Sequence, residues 1–229
     1  MGLLQENDKK AVKKEFEKIT KTVKIIMVKS EDKNECQLCE ETKSLLEEVS
    51  DLNDKIVLEV HDKSEADVIM AKYGFDKFPA FVVTDEEGTN NGVRFFGIPA
   101  GYEFISLMGA IIEVGSGEIE LTAKSKELVK SIDKPLHLQV FVTPSCPYCP
   151  RAVRTAHQMA MLNENITADM VEAQEFFDLS NKYNVMGVPR VVVNEDSYFE
   201  GALPEAIYIE RVIKAVNGEM SGNLAADLR

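Results

Sequence analysis

Cysteine occurs four times in the 229 residues, and only as two C-x-x-C pairs, Cys36-Gln37-Leu38-Cys39 and Cys146-Pro147-Tyr148-Cys149. The pairs lie 110 positions apart. Phe78-Pro79-Ala80-Phe81-Val82-Val83 places a proline 43 residues after the first cysteine, and Val188-Pro189-Arg190-Val191-Val192-Val193 places another 43 residues after the third. Two unrelated landmarks sharing one offset mark an internal repeat, so the chain must build the same unit twice.

The segments between the landmarks agree. Lys24 to Val28 and Leu138 to Val142 are largely apolar runs with β-branched residues, which suit buried strands just before each cysteine pair. Leu45, Leu46, Val49 and Leu52 follow the first pair at helical spacing, and Val153, Ala156, Ala160 and Met161 follow the second. Ile56 to Val60 and Ile166 to Val171 read as second strands, followed by short helices that stop near Gly74 and Asn184. Beyond each proline, a strand, a turn and a strand ending at Gly97 or Gly201 predict a hairpin. Final helices are predicted from Tyr102 to Val114 and from Pro204 to Val216, and opening helices over Asp8 to Thr20 and Lys124 to Ile132. Each unit thus runs helix, strand, helix, strand, helix, strand, strand, helix. The break is expected at Val114-Gly115-Ser116-Gly117, dividing the chain into residues 1–115 and 116–229, with the stretch from Asn217 onward a frayed tail or surface arm.

Composition removes several functions. A net charge of −13 has the wrong sign for binding a phosphate backbone, so nucleic acid is not expected as a partner. No block of about 20 apolar residues is present to cross a bilayer, so a membrane is not expected either. The amino terminus lacks the pattern of a secretory signal, and the reading is a cytoplasmic chain. In a reducing compartment, four cysteines point to catalysis or metal binding rather than a disulfide scaffold.

Cysteines at i and i+3 around the first turn of a helix bring their sulfurs together, because the helix returns to nearly the same face after about 3.6 residues. A disulfide needs Cα atoms roughly 4.4 to 6.8 Å apart, which that geometry supplies. Free N–H groups and the helix dipole favour negative charge at the amino end, which makes Cys36 and Cys146 the expected nucleophiles. Cys39 and Cys149, one turn deeper, are the expected resolving thiols. Glu31, Asp32, Glu35, Glu40 and Glu41 surround the first pair, whereas Arg151 and Arg154 follow the second. If those arginines face the sulfur, they support a thiolate at Cys146 and make the second site the stronger oxidant.

A C-x-x-C pair after a strand and opening a helix, with an X-Pro strand start 43 residues on, resembles the thioredoxin superfamily. Cys146-Pro147-Tyr148-Cys149 is similar to the glutaredoxin-type active site. Two such units in tandem, over residues 8–216, resemble the protein disulfide oxidoreductases of thermophilic archaea and bacteria. The resemblance implies an α/β fold of two tandem thioredoxin-like units, each a central four-stranded mixed sheet flanked by helices. It implies a cis proline at Pro79 and at Pro189 facing the sulfurs. It further implies that the backbone of Phe78 and Val188 binds an extended substrate segment by strand addition. Thiol-disulfide exchange on protein disulfides and dithiols follows from it, without a bound cofactor, with a thioredoxin-reductase-like flavoenzyme or a peroxiredoxin as further partners. The chain departs from thioredoxins in having Glu35 and Ser145 in place of a tryptophan, and Val140 in place of a buried aspartate.

Two other functions compete. One is a glutaredoxin-like electron donor to a peroxidase or reductase. The other is a zinc-stabilised interaction module in which four thiolates share one ion, although the intervening stretch is far longer than in compact zinc modules. His61, His137 and His157 lie in separate segments and form no ligand cluster, and Phe95, Phe96, Phe176 and Phe177 are expected in the core.

Overall fold

The computed structural model describes residues 4–219 and 222–223. The first half runs α1 (Glu6–Phe16), β1 (Val23–Lys29), α2 (Cys39–Ser50), β2 (Ile56–Asp62), α3 (Asp67–Tyr73), β3 (Ala80–Asp85), β4 (Val93–Phe96) and α4 (Phe104–Ser116). The second half repeats that order as α5 (Ala123–Lys130), β5 (Leu136–Val142), α6 (Cys149–Leu162), β6 (Ile166–Glu172), α7 (Phe177–Lys182), β7 (Arg190–Val193), β8 (Ser197–Glu200) and α8 (Glu205–Val216). Most of the tail beyond Glu219 lies outside the described residues; Gly222–Asn223 forms a short β9 parallel to β8.

All strands join one mixed sheet in the order β2-β1-β3-β4-β6-β5-β7-β8-β9. Within each half the first strand pairs parallel with the second and antiparallel with the third, and the hairpin adds the fourth. The halves meet where β4 pairs parallel with β6, from Val93 opposite Ala168 to Phe96 opposite Val171. Strands β1, β2, β4, β5 and β6 therefore point the same way, and the cysteine loops leaving β1 and β5 emerge at the same end of the sheet. That end, beyond the carboxyl ends of parallel strands, is where open α/β sheets bind ligands.

Strand alternation sends Ile25, Met27, Val140 and Met170 to one face and Ile26, Val28, Phe141 and Val171 to the other. The first face is covered by α1, α2, α4, α5, α6 and α8 and forms one apolar cluster running through both halves. Phe81 and Phe95 stack there at 4.6 Å, and the buried His157 ring meets Phe95 edge-on. Fully burying a side chain of that size contributes roughly 1.5–3 kcal/mol. The other face carries the shorter α3 and α7.

Two helix stops follow the predicted chemistry. Gly74 ends α3 at φ 69°, and Asn184 takes φ 50° after α7, both in the left-handed region that glycine and asparagine tolerate. The stretch Val114–Gly117, where the break is expected, holds the end of α4. Helix α4 continues to Ser116 and is stopped by Gly117 at φ 74°. Within it Gly115 packs closely: the Thr20 and Lys21 N–H groups both donate to its carbonyl at 3.0 Å, and a Cβ there would strike Ile19 and Val23.

Candidate active sites

Each sulfur pair sits where a strand gives way to a helix. Cys36 and Cys39 are joined as a disulfide with Cα atoms 5.5 Å apart, and Cys146 and Cys149 likewise at 5.6 Å. The helices begin at Cys39 and Cys149, so Cys36 and Cys146 precede the first helical turn rather than lying in it. The turns are fixed by Cys36 N–H donating to the Asp32 carbonyl at 2.9 Å and Cys146 N–H donating to the Thr143 carbonyl at 3.1 Å. Because Cys36 and Cys146 are bonded to the first helical residue, their sulfurs still reach the positive end of α2 and α6. Pro150 occupies the start of α6, where a missing N–H costs nothing.

The prolines return to the same places. Phe78–Pro79 and Val188–Pro189 are cis peptide bonds. The Pro79 and Pro189 carbonyls accept from the N–H of Gly97 and Gly201, which anchors each proline loop to the end of its hairpin. Sγ of Cys146 lies 3.7 Å from the Val188 carbonyl oxygen, so in the reduced state its thiol can donate there. Phe78 is buried in the same apolar cluster as Cys36 and Cys39, and Val188 packs against the cluster holding Cys146 and Cys149.

Exposure separates the paired cysteines only at the second site. Cys146 retains 8% of its surface and Cys149 none, against 4% and 3% for Cys36 and Cys39. The rims also differ. At the first site Nζ of Lys63 lies 2.8 Å from both Glu35 carboxylate oxygens and 5.2 Å above the Phe78 ring, and Lys77 pairs with Asp76. At the matching offset the second site has Ser145, Ala173, Met186 and Gly187, which cannot form either pair. Its rim is apolar, with Tyr148 69% and Met186 84% exposed.

Arg154 is one of the two arginines on which the expected electrostatic contrast between the sites depends. Its guanidinium binds Glu113 at 2.6 Å and Glu120 at 3.1 Å, because burial of the Glu113 carboxylate demands a cation. Around Cys36 two of the five carboxylates are answered by lysines. Lys63 and then Ser30 hold the Glu35 carboxyl below its ordinary range, and Glu40 pairs with Lys29 at 3.0 Å. Each pair is closed on itself as a disulfide. The two pairs pack into different apolar clusters, and among the described residues no group of three or more His, Cys, Asp or Glu is placed to hold a metal.

The chain thus carries, twice, a disulfide at a strand-to-helix turn and a cis X–Pro bond 43 residues after its first cysteine. Residues 136–214 match the family model described as Thioredoxin domain. A protein disulfide oxidoreductase from Aeropyrum pernix superposes with a TM-score of 0.86 at 27% identity, covering 95% of each chain. This is a thioredoxin-fold protein. The alkylhydroperoxide reductase AhpF of Enterococcus faecalis superposes on the same thioredoxin fold with a TM-score of 0.85 at 28% identity, over 92% of this chain and 99% of that one. The F subunit of alkyl hydroperoxide reductase in Escherichia coli is 29% identical over 88% of this chain. The thioredoxin-fold chain spans only 36% of that relative's length. Two C-x-x-C pairs at disulfide distance on this fold are the equipment of a dithiol-disulfide oxidoreductase.

The thioredoxin fold also holds buried acids that periodicity did not single out. Glu103, just before α4, is buried, and burial pushes its carboxyl up to about 7 against the opposing Ser106 hydrogen bond. It lies beside the second cysteine loop, since Tyr102 N–H donates to the Pro144 carbonyl at 2.9 Å. Glu175, between β6 and α7, is also pushed to about 7 by burial and accepts from the Ile98 N–H at 2.6 Å, linking the halves. A lone glutamate in a loop carries no signal of burial in sequence. The predicted core position of Phe177 is likewise wrong: it opens α7 with 66% of its surface exposed, while Phe176 is half-buried.

Proposed function

We propose that the protein catalyses dithiol-disulfide exchange on protein substrates through two sites, in units of residues 1–115 and 116–229. Supporting this are a closed sulfur pair at a strand-to-helix turn and a cis proline, formed twice at a single sequence offset, with Cys146 Sγ 3.7 Å from the Val188 carbonyl oxygen at the second site. In the reducing direction the thiolate of Cys36 or Cys146 attacks a substrate disulfide. A new S–S bond to the substrate forms, and the departing substrate sulfur takes up a proton. Cys39 or Cys149, losing its own proton, then attacks the mixed disulfide, closing the intramolecular bond and releasing the second substrate thiol. The substrate gains two electrons and two protons, and the protein returns to its disulfide form. Run backwards, the same steps oxidise a dithiol. Backbone groups of Phe78 and Val188 are proposed to hold the extended substrate strand, with Pro79 and Pro189 shaping the loops. No cofactor is required, since the sulfurs carry the electrons, and a cytoplasmic location completes the reading.

The likeness to the F subunit of alkyl hydroperoxide reductase favours one second reading, a carrier between a thioredoxin-reductase-like flavoenzyme and a peroxiredoxin. Insulin-disulfide reduction by the wild type, Cys36→Ser/Cys39→Ser, Cys146→Ser/Cys149→Ser and the quadruple variant tests the main reading. Each double variant should retain part of the activity and the quadruple variant none. Undiminished activity in the quadruple variant would overturn the assignment. A pre-reduced protein that reduces a peroxiredoxin disulfide faster than insulin would favour the carrier.

A further inference from the structure

Helix α7 belongs to the second half but lies at the end of the sheet where the first sulfur pair opens, because β6 follows β4 in the sheet and points the same way. Phe176 packs against the apolar cluster that contains Cys36, Cys39 and Phe78. Between them runs a groove of about 440 Å³, with Glu35, Lys63 and Phe78 on one wall and Phe176, Phe177 and Asp178 on the other. We infer that this groove is a docking surface for a basic, extended segment of a protein substrate carrying an apolar side chain, and that it serves the first site alone.

Charge and exposure select that occupant. The two lysines of the groove are already committed, Lys63 to Glu35 and Lys77 to Asp76, whereas exposed Asp178 has no cation against it among the described residues. Glu31 and Asp32, on the loop leading to Cys36, are exposed as well. In a protein of net charge −13, the side chain that gains most from this rim is a lysine or arginine. Phe177 offers a ring 66% exposed beside it, and covering that ring with an apolar partner removes apolar surface from water. The second site has no equivalent shelf, because among the described residues only the two-residue β9 follows β8 in the sheet.

This inference rests on the exchange chemistry proposed above, so its test separates the two. Pre-reduced, full-length Cys146→Ser/Cys149→Ser protein, with only its first site, is mixed with short peptides bearing a thionitrobenzoate disulfide, and release of thionitrobenzoate is followed. The protein dithiol becomes a disulfide, while the peptide thiol and thionitrobenzoate are the reduced products. A peptide with Phe and Lys beside its cysteine should react about tenfold faster at low salt than one with Phe and Glu, a gap that shrinks as salt rises. Phe177→Ala should slow the basic peptide about fivefold, and Asp178→Lys should reverse the charge preference. Neither substitution should change rates for the Cys36→Ser/Cys39→Ser protein. Equal rates for both peptides at the first site, or equal effects of Phe177→Ala at both sites, overturn the groove. Failure of either pre-reduced double variant to cleave a small symmetrical aryl disulfide, added as a control that carries no peptide, would instead overturn the exchange chemistry itself.

Discussion

Nε of Arg94 on β4 lies 2.6 Å from Oδ1 of Asp169 on β6, so a buried ion pair spans the line where the two half-sheets meet. The other Asp169 oxygen is shared by Arg94 Nη2 and His137 Nε2, and Arg94 also donates to the carbonyls of Tyr73 and Gly74 at the end of α3. Replacing Arg94 by Met leaves Asp169 buried without its guanidinium, which costs about 3–5 kcal/mol. Urea unfolding should show this as a lower midpoint. Burial raises the Asp169 carboxyl, but His137 and Arg94 more than offset this and leave it below its usual 3.8. A depressed carboxylate contributes stability that is present above the unfolded value and lost as pH falls through the folded one. The Arg94→Met penalty should therefore be full at pH 6 and shrink below about pH 4.

Glu103 has the opposite sign. With its carboxyl raised from 4.5 to about 7, the folded protein holds a proton that the unfolded chain has released, so stability is lost as pH rises across that interval. Glu103→Gln removes the loss. Relative to wild type it should gain on going from pH 4 to pH 8, by up to ~3 kcal/mol at about 1.4 kcal/mol per pKa unit, measured from urea midpoints at the two pH values.

Arg154 distinguishes a structural from an electrostatic role near the second site. Its guanidinium answers Glu113, whose carboxyl is buried and also accepts from Gln158. Arg154→Met should lower stability by about 3 kcal/mol while leaving the pH midpoint for alkylation of Cys146 unchanged. A lower thiolate fraction in that variant would restore the arginine to the sulfur's environment.

Cys149→Ser should trap substrate on Cys146 as a mixed disulfide, and Cys39→Ser should do so on Cys36. Mass spectrometry of the adducts identifies the attacking sulfur directly. Adducts on Cys39 in a Cys36→Ser protein, at the rate seen for Cys36, would reverse the proposed roles.

The strand and helix order was legible because each buried segment carries its own period and each half repeats it; Ile56 and Ile166 open matching strands 110 residues apart. Cys36, Cys39 and Pro79 announced themselves through spacing, since a sulfur pair and a returning proline are local patterns. What spacing does not encode is which distant group a side chain meets. Arg154 looks like a partner for Cys146 from eight residues away, but α4 brings a buried carboxylate closer. Nor does spacing show that Gly115, in the glycine-rich stretch that ends α4, is held close by Ile19 and Val23. Phe177 has the chemistry of a core residue, and only the position of α7 leaves it in water.

Pairing of β4 with β6 carries one more consequence. A strand with an unpaired flank is an open template for another chain, and each half in isolation would bare such a flank along Val93–Phe96 or Ile166–Glu172. Each strand here serves as the other's stopper. Severing the chain between the halves would therefore create two fragments prone to self-association, even though neither had lost a single residue of its cysteine loop.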